Sequence, residues 1–314
     1  MAYLIGVDGG GSKTTALLAR LDEVIIGRGS SGSSNYRAVG LESACASLDQ
    51  ALRAAFASAR LDPDPGQVQI AYIGLAGVDR PGDHVPLQAW AERQWPGMPV
   101  EFVSDVRLVL AAGTPKGWGI AVICGTGSIV YGRSPHGQTA RAGGWGYLLG
   151  DEGSGYHIGL TALRCVARAA DGRSPPTLLT GLILDNWSLS SVQELVDYVY
   201  RPQLSKTEVA ALAALVERAA RQEDPIAQGI LRQAGEELAT AASVVADRLQ
   251  LSGPLPTALA GGVMLHSELV ARAFLTAAAE LDRHLSPVQH VTEPALGAIR
   301  LAGERARRAK GSGR

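Results

Sequence analysis

The sequence has almost no net charge and few charged residues. Its 29 basic and 30 acidic side chains give a formal charge of -1 at pH 7. A chain so close to neutrality gives no reason to expect a nucleic acid or an anionic membrane as a partner. No apolar run approaches the ~20 residues that a membrane-spanning helix needs. The N-terminus does not show the basic region and long apolar stretch of a signal peptide.

Cysteine is also scarce. Cys45, Cys124 and Cys165 include no close pair, so the sequence predicts neither a disulfide framework nor a Cys-x-x-Cys metal site. The 6 histidines are scattered without the spacing of metal ligands, and no Ser-His-Asp or Gly-x-Ser-x-Gly arrangement stands out. We therefore expect a protein of the reducing cytoplasm without a transition-metal site.

What the chain does have is two glycine-rich turns that each follow a buried strand. The first strand, 3–7, runs into Asp-Gly-Gly-Gly-Ser-Lys, and further strands are predicted at 14–20 and 24–28. The pattern of strand, glycine turn and hairpin returns at 119–142. Such a duplication suggests two related lobes with a cleft between their glycine turns.

The first turn matches neither of the common phosphate-binding loops. A P-loop needs Gly-x-x-x-x-Gly-Lys between a strand and a helix, but here Ser12 separates Gly11 from Lys13. A dinucleotide fingerprint needs a helix directly after its glycines, whereas 14–20 predicts another strand. The turn therefore belongs to a different architecture.

The residue types in both turns suit a polyphosphate and its metal. A carboxylate at Asp8 can hold a hydrated magnesium ion while bare glycine amides meet phosphate oxygens, and the Ser-Lys-Thr segment at 12–14 can add donors. In the second turn, 125–128, glycines again admit a phosphate and hydroxyls can donate to it. The plain alternative for each turn is a tight connection between two strands.

Asp105 ends another predicted strand, 100–105. A carboxylate at this position can accept the proton of a substrate hydroxyl. It can also cap the helix predicted over 106–112, because Asp is a favoured N-cap residue. The sequence leaves both roles open.

The stretch 143–156 is dense in glycine. Its sequence, GGWGYLLGDEGSGY, contains six glycines together with Trp145, Asp151 and Glu152. A sugar site needs carboxylates for vicinal hydroxyls, an aromatic or apolar surface for the ring, and close approach of the backbone. This stretch supplies all three, and the plain alternative is a structural loop with Trp145 in the core. Further along, AGGVM at 260–264 leaves room beside a flat adenine base.

The rest of the chain alternates between strands and helices and then becomes mostly helical. Helices are predicted at 42–60, 84–95, 155–170, 190–200, 207–222, 225–250 and 267–281, strands at 69–77 and 256–265, and a last helix from about 294.

Five separated pieces in a fixed order resemble one known family. They are DGGGSKT, the Ser-Asp at a strand end, CGTGS, GGWGYLLGDEGSGY and ALAGGVM. Together they resemble the N-acetylglucosamine kinase and BadF/BadG/BcrA/BcrD ATPase-type family of the sugar kinase, actin and heat-shock chaperone ATPase superfamily. The resemblance extends from residue 3 to about 303, and the GGWG and GDEGS segments are its most specific part.

The resemblance implies a two-lobed α/β fold of the actin-like ATPase (ribonuclease H-like) type. Each lobe would have a five-stranded mixed sheet with flanking helices, and ATP and sugar would lie in the cleft. The N-terminal lobe would be 1–114, with a C-terminal helix at about 293–312 packed back on it. The C-terminal lobe, with the adenosine-binding helices, would be 115–292.

The resemblance also implies roles for individual residues. The first phosphate loop would contain Gly10, Gly11, Ser12, Lys13 and Thr14, with Asp8 binding magnesium through water. The second would contain Gly125, Thr126 and Gly127, and the adenosine would lie by Gly261, Gly262 and Met264. Asp105 would be the catalytic base, and the sugar would contact Asn35, Asp105, Ser128, Gly144, Trp145, Gly146 and Asp151. Relatives can carry a serine at Ala76-Gly77, so one sugar contact stays open.

The implied activity is the Mg²⁺-dependent transfer of the terminal phosphate of ATP to the 6-hydroxyl of an amino sugar. N-acetylglucosamine is the first candidate for the acceptor. The resemblance also implies a homodimer. Glucosamine, N-acetylmuramic acid, N-acetylmannosamine or glucose are alternative acceptors. Another alternative is an ATPase activator of a 2-hydroxyacyl-CoA dehydratase, which needs cysteines for a shared iron–sulfur cluster. A sugar-sensing repressor would need a DNA-binding domain before residue 3, and a chaperone or filament role does not explain the sugar-like loop.

Overall fold

The structure, a computed structural model, describes residues 2–78, 80 and 82–311. Only the backbone is described at positions 310 and 311. The chain forms two compact units: one runs to Trp118 and resumes at Val291, and the other is Gly119–His290. Each unit is built on a five-stranded sheet. Among the described residues, no helix is both long and apolar enough to cross a lipid bilayer.

The elements of the described residues follow one another in this order. Before Gly119 they are β1 (Tyr3–Gly9), β2 (Thr14–Arg20), β3 (Ile25–Ser31), α1 (Tyr36–Val39), α2 (Leu41–Ser58), β4 (Val68–Leu75), α3 (Val85–Gln94), β5 (Val100–Ser104) and α4 (Asp105–Gly113). From Gly119 they are β6 (Gly119–Cys124), β7 (Ser128–Arg133), β8 (Thr139–Gly143), α5 (Gly155–Ala170), α6 (Leu179–Trp187), α7 (Glu194–Val199), α8 (Lys206–Ala211), α9 (Ala213–Arg221), α10 (Pro225–Arg248), β9 (Leu255–Ala260), α11 (Gly262–His266), α12 (Glu268–Glu280), β10 (Leu285–His290) and α13 (Ala295–Gly311).

The sheet of the first unit has the order β3-β2-β1-β4-β5. β1, β2 and β3 pair antiparallel, whereas β4 and β5 run parallel to β1. Side chains of β1 alternate between two cores: Ile5 and Val7 pack with α2 and α3, and Leu4 packs with Leu108 of α4 and Ile299 of α13. Because both faces of the sheet are covered by helices, β1 reads as a continuous apolar run.

The last helix, α13, belongs to the first unit and packs on β1, β4 and α4. At Gly297 an added Cβ would overlap backbone atoms of Leu108, so α13 and α4 touch backbone to backbone. At the surface, Arg305 of α13 pairs with Glu101 of β5 at 2.8 Å. The approach of the two helices therefore requires glycine at position 297.

The sheet of the second unit repeats the arrangement of the first, in the order β10-β9-β6-β7-β8. β6, β7 and β8 pair antiparallel, and β9 and β10 run parallel to β6. The long helix α10 packs on β6, β7 and β8 and against α12 and α5. Its buried stripe, which includes Ile230, Ala234, Leu238 and Val245, recurs with the spacing of one helical face.

The predicted fold class is confirmed, because the chain has two five-stranded mixed sheets with flanking helices. Several details differ from the predicted elements. The helix expected over 207–222 is two helices, α8 and α9. The strand expected over 256–265 ends at Ala260, because α11 begins two residues later. Neither α6 nor β10 was anticipated, and β10 lacks a buried apolar run because it is the half-exposed edge strand of its sheet.

Candidate functional site

The first glycine turn is a tight hairpin with an exposed tip. It links β1 to β2, and the Gly10 N–H donates to the Lys13 carbonyl at 2.9 Å. Gly11, Ser12 and Lys13 are exposed, so their backbone and the Lys13 ammonium lie at the surface of this unit. An anion can approach these groups without any rearrangement of the core.

Thr14 supports this turn from within the fold. It is fully buried, its hydroxyl donates to the Gly32 carbonyl at 2.7 Å, and it lies 2.9 Å from Ser34 Oγ. Because a hydroxyl has a single proton, these contacts engage the side chain in supporting the turn. The assignment of Thr14 to the first phosphate loop stays a prediction.

Asp8 and Asp105 lie at the carboxyl ends of two strands of the first sheet, on the same edge, with one strand between them. Asp8 is the penultimate residue of β1, Asp105 directly follows β5, and β4 runs parallel to both strands between them. The pKa of Asp8 is raised from 3.8 to about 7, first by burial and then by the charge of Asp105, while Lys13 lowers it. The two carboxylates therefore repel each other, and a cation beside them would relieve that repulsion.

Asp105 begins α4, but the N-cap of this helix is Ser104. Asp105 Oδ1 accepts the Val106 N–H at 2.8 Å and lies 3.4 Å from Ser104 Oγ. The carboxylate thus satisfies one of the unpaired amides of the first helical turn from inside the helix. This corrects the N-cap alternative, whereas the role of Asp105 as a base stays a prediction.

Asn35 caps a short helix beside the turn that follows β4. Its Oδ1 accepts the Arg37 N–H at 3.2 Å, which starts α1. Its own N–H donates to Ser33 Oγ at 3.2 Å. A Cβ at Gly77 would lie 3.4 Å from Asn35 Oδ1. Asn35 and the 76–77 turn, which the resemblance links to sugar contacts, therefore adjoin within the first unit.

Arg37 and Asp83 form a brace beside Asn35 that the sequence analysis did not identify. Arg37 donates to Asp83 at 2.6 Å and to the Gly77 carbonyl at 3.0 Å. The Tyr36 hydroxyl donates to the same buried Asp83 carboxylate at 3.1 Å. The brace holds the loop after β4 against α1. Its two charges are 46 positions apart, one in the short helix α1 and one in the loop after β4, so no spacing rule could have paired them.

The second glycine turn is held by backbone groups of its own unit. The Gly125 N–H donates to the Gly127 carbonyl at 2.9 Å. The Gly125 carbonyl accepts the Gly155 N–H at 2.8 Å, and the Thr126 carbonyl accepts the Tyr156 N–H at 3.2 Å. The turn is therefore tied to the first residues of α5.

The Gly261-Gly262 segment lies against this second turn. Gly261 has φ 93°, and an added Cβ would overlap the backbone of Cys124. A Cβ at Gly125 would lie 3.7 Å from the Gly262 nitrogen. Two motifs that are far apart in the sequence thus form one glycine-lined surface, which a nucleotide can approach closely.

Met264 does not take part in that surface. It is 1% exposed, because α11 packs on β6 and β9 and turns this side chain into the core. The burial of Met264 does not support the expected contact with the adenosine, which stays a prediction, and the glycines form the accessible part of this surface.

Asp151 and Ser128 join the glycine-rich loop before α5 to β7. The Asp151 carboxylate accepts the backbone N–H groups of Ser128 and Gly146, and burial raises its pKa while these bonds lower it. The Ser128 hydroxyl donates to the Glu152 carbonyl at 2.7 Å. Both side chains are nearly buried. They shape the loop from within, and the sugar contacts expected of them stay predictions.

Trp145 stands at the exposed middle of the same loop. Its side chain is 57% exposed, so the alternative that places it in the core is wrong. Gly144 and Gly146 flank it with φ values of 70° and 86°, and the Arg141 guanidinium lies 5.2 Å from its ring centroid. The other exposed apolar residues of the loop are Tyr147, Leu148 and Leu149. An exposed indole between glycines offers a face on which a sugar ring can stack.

Comparison with known proteins finds amino-sugar kinases among the proteins that this chain resembles. The chain is 35% identical over 265 residues to an N-acetylmuramic acid/N-acetylglucosamine kinase of Clostridium acetobutylicum, covering 84% of this chain and 86% of the relative. It is 31% identical to an N-acetyl-D-glucosamine kinase of Dictyostelium discoideum, covering 95% and 97%. A crystal structure from Chromobacterium violaceum, provisionally named N-acetylglucosamine kinase, superposes with a TM-score of 0.77 at 32% identity, covering 96% and 99%.

The family predicted from the five motifs is confirmed by a match to almost the whole chain. The model of the BadF/BadG/BcrA/BcrD ATPase family matches residues 5–302, which includes both glycine turns, Asp105 and the loop before α5. The chain belongs to the BadF/BadG/BcrA/BcrD ATPase family.

Proposed function

We propose that this protein is a sugar kinase that transfers the terminal phosphate of ATP to the 6-hydroxyl of an amino sugar, with N-acetylglucosamine as the first candidate. The observation that carries the proposal is the placement of Asp8, beside the first glycine turn, and Asp105 on the same edge of the sheet, with β4 between their strands and close enough for the charge of Asp105 to raise the pKa of Asp8. Asp8 can bind the metal ion that accompanies the phosphates, and Asp105 can accept a proton. The names of the relatives support the same acceptor class.

Asp105 acts as the base in this proposal. Phosphoryl transfer passes through a loose transition state, so positioning and charge neutralisation dominate the catalysis. Asp105 accepts the proton of the 6-hydroxyl as the oxygen–phosphorus bond forms and the terminal phosphate leaves ADP. The Val106 N–H on Oδ1 fixes the orientation of the carboxylate. The Lys13 ammonium adds positive charge on the side of Asp8.

Asp8 fits a magnesium site. Burial and the charge of Asp105 both raise the pKa of the Asp8 carboxylate. A cation stabilises the ionised form of such a group. Within the described part of the chain, no group of three or more His, Cys, Asp or Glu residues is placed to hold a metal. Magnesium commonly takes one or two carboxylates together with waters and phosphates, so Asp8 would hold it directly or through water. The ion, when bound, neutralises phosphate charge.

The second unit, taken by itself, has groups that suit a nucleotide and a sugar. Gly125, Thr126 and Gly127 form the second phosphate loop, and Gly261 and Gly262 line the adenosine. The exposed ring of Trp145 forms the stacking surface for the sugar. The first unit adds Asn35, whose Oδ1 is used in the cap of α1, so its amide nitrogen is the group that donates to a sugar oxygen.

Buried thiols disfavour the alternative of a dehydratase activator. Cys45 and Cys124 are both nearly or fully buried, and burial raises the pKa of Cys124 to about 12. A cluster shared between subunits needs surface thiolates, and Cys165 alone is partly exposed. We further propose a homodimer located in the cytoplasm, on the strength of the family resemblance and the few cysteines.

An acceptor panel tests the proposed function. Purified protein is given ATP and magnesium with N-acetylglucosamine, N-acetylmuramic acid, glucosamine, N-acetylmannosamine and glucose in turn, and ADP is followed in a coupled assay. We expect N-acetylglucosamine to give the highest kcat/KM. ADP release that does not depend on any sugar would contradict a kinase and favour an ATPase.

Asp105→Asn tests the assigned base. We expect turnover to fall by roughly 10²–10⁴-fold, with ATP affinity nearly unchanged, because the amide cannot accept the hydroxyl proton. Asp62→Asn, at an exposed position of the same unit, is the matched control and should keep full turnover. Near-normal turnover in Asp105→Asn would remove this residue from its role.

A further inference from the structure

The hydroxyl of Ser33 touches both the first glycine turn and the residue assigned to the sugar. Ser33 Oγ donates to the Gly10 carbonyl at 3.2 Å. The same oxygen accepts the Asn35 N–H at 3.2 Å. A serine hydroxyl has one proton to give and lone pairs to accept, so a single atom links the two segments.

A second tie runs parallel to the first. Thr14, at the end of the turn, donates to the Gly32 carbonyl at 2.7 Å and lies 2.9 Å from Ser34 Oγ. Ser34 is fully buried, and it packs so closely on Gly9 that a Cβ there would overlap its hydroxyl. Residues 9–14 and 32–35 therefore pack as one structure rather than as two independent loops.

Through its two hydrogen bonds, Ser33 orients groups that are assigned to the two ligands. The Gly10–Gly11 peptide is planar, so fixing the Gly10 carbonyl also fixes the direction of the Gly11 N–H, one of the amides at the exposed tip. On the other side, the bond to the Asn35 N–H fixes the position of Asn35. This residue caps α1, and its side chain accepts the Arg37 N–H. A displacement of one segment is thereby passed to the other.

We propose that Ser33 is a positioning residue that couples nucleotide binding at the first glycine turn to amino-sugar binding at Asn35. The inference rests on the proposed function, because it needs both ligands. Bound nucleotide orders the turn and, through Ser33, prepares Asn35 for the sugar. By linkage the sugar then tightens the nucleotide by the same factor.

The coupling is measured by binding the sugar with and without a non-hydrolysable ATP analogue. Calorimetric titration of N-acetylglucosamine gives its Kd in magnesium buffer, alone and with saturating AMP-PNP, and the ratio of the two is the coupling. We expect a ratio of at least ~5 for the wild type, at the lower end of typical allosteric coupling. In Ser33→Ala the ratio should fall to near 1, and the KM for the sugar should rise while kcat changes less.

Two variants separate coupling from general damage to the fold. Ser33→Thr keeps a hydroxyl and should retain the coupling within about threefold, within the range of one modest hydrogen bond. Ser31→Ala removes a neighbouring hydroxyl that donates to the Ser47 carbonyl at 2.6 Å, and should leave the coupling as in the wild type. Ser33→Cys keeps the side-chain volume with a much weaker donor and replaces Ser33→Ala if that variant does not fold.

The outcomes separate this inference from the proposed function. An active wild type whose coupling ratio survives in Ser33→Ala, or in Ser33→Cys where the alanine variant does not fold, overturns the inference alone. So does an active wild type without coupling. A wild type that phosphorylates no sugar overturns the proposed function and the inference with it.

Discussion

The two glycine turns hold the same place in their sheets but have different supports. Each joins the central strand, β1 or β6, to the next antiparallel strand. The first is held by hydroxyl groups of Thr14 and Ser33. The second is held by backbone bonds to the start of α5 and by the close approach of Gly261. The first turn therefore depends mainly on hydroxyl groups that bind the neighbouring segment, whereas the second depends on close backbone contacts that require glycine, together with the bond from the Ser128 N–H to Asp151.

The largest effect on stability is expected where the second turn meets Gly261. Gly261→Ala places a Cβ into the backbone of Cys124 and forces alanine to a φ of 93°. We expect the free energy of unfolding to fall by roughly 2–4 kcal/mol, measured by urea denaturation. Gly262→Ala is the matched control, because nothing lies within 4 Å of an added Cβ. Equal losses in the two variants would contradict the close contact.

An intermediate effect is expected at Asp8, whose half-buried carboxylate lies beside the first turn. The folded pKa of about 7 lies above the ordinary 3.8, so the native state holds this proton more tightly than the unfolded chain does. The stability it provides is full below pH 3.8 and is lost as the pH rises through 7. In EDTA, Asp8→Asn should be more stable than the wild type at pH 8, by on the order of 1–3 kcal/mol.

The pH dependence separates charge from packing at Asp8. The gain of Asp8→Asn over the wild type, followed by urea denaturation from pH 4 to pH 8, should grow across this range. A gain that is the same at every pH would show that the substitution acts through packing and not through the carboxylate charge.

The smallest effect is expected at the hydroxyl that supports the first turn. Thr14→Val keeps the shape of the side chain but leaves the Gly32 carbonyl without its donor, at a cost of about 1 kcal/mol in the free energy of unfolding. Thr14→Ser keeps the hydroxyl and should lose less by the same denaturation measurement. The comparison between the two turns fails if the valine variant is as stable as the wild type.

Much of the fold could be predicted because local patterns determine it. The strands that enter the two glycine turns are continuous apolar runs, since both faces of each sheet are covered. The long helix α10 shows its buried stripe directly in the sequence. The edge strand β10 could not be found this way, because its residues are half-exposed and carry no such run.

The candidate site was predicted in position more than in detail. Motifs located Asp8, Asp105 and the glycines, since strand ends and bare turns have a recognisable composition. The sequence could not show that Met264 turns into the core or that the Asp151 carboxylate binds backbone amides. These depend on which way a side chain points after packing. The Arg37–Asp83 brace joins the helix α1 to a distant loop and leaves no local signal.

Identification of the phosphorylated product tests the central claim most directly. Phosphorus NMR of a reaction with ATP, magnesium and N-acetylglucosamine follows ADP, inorganic phosphate and any sugar phosphate together. The account predicts a sugar 6-phosphate that appears in step with ADP, and no ADP when the sugar is omitted. Inorganic phosphate formed at the same rate with and without the sugar would contradict it.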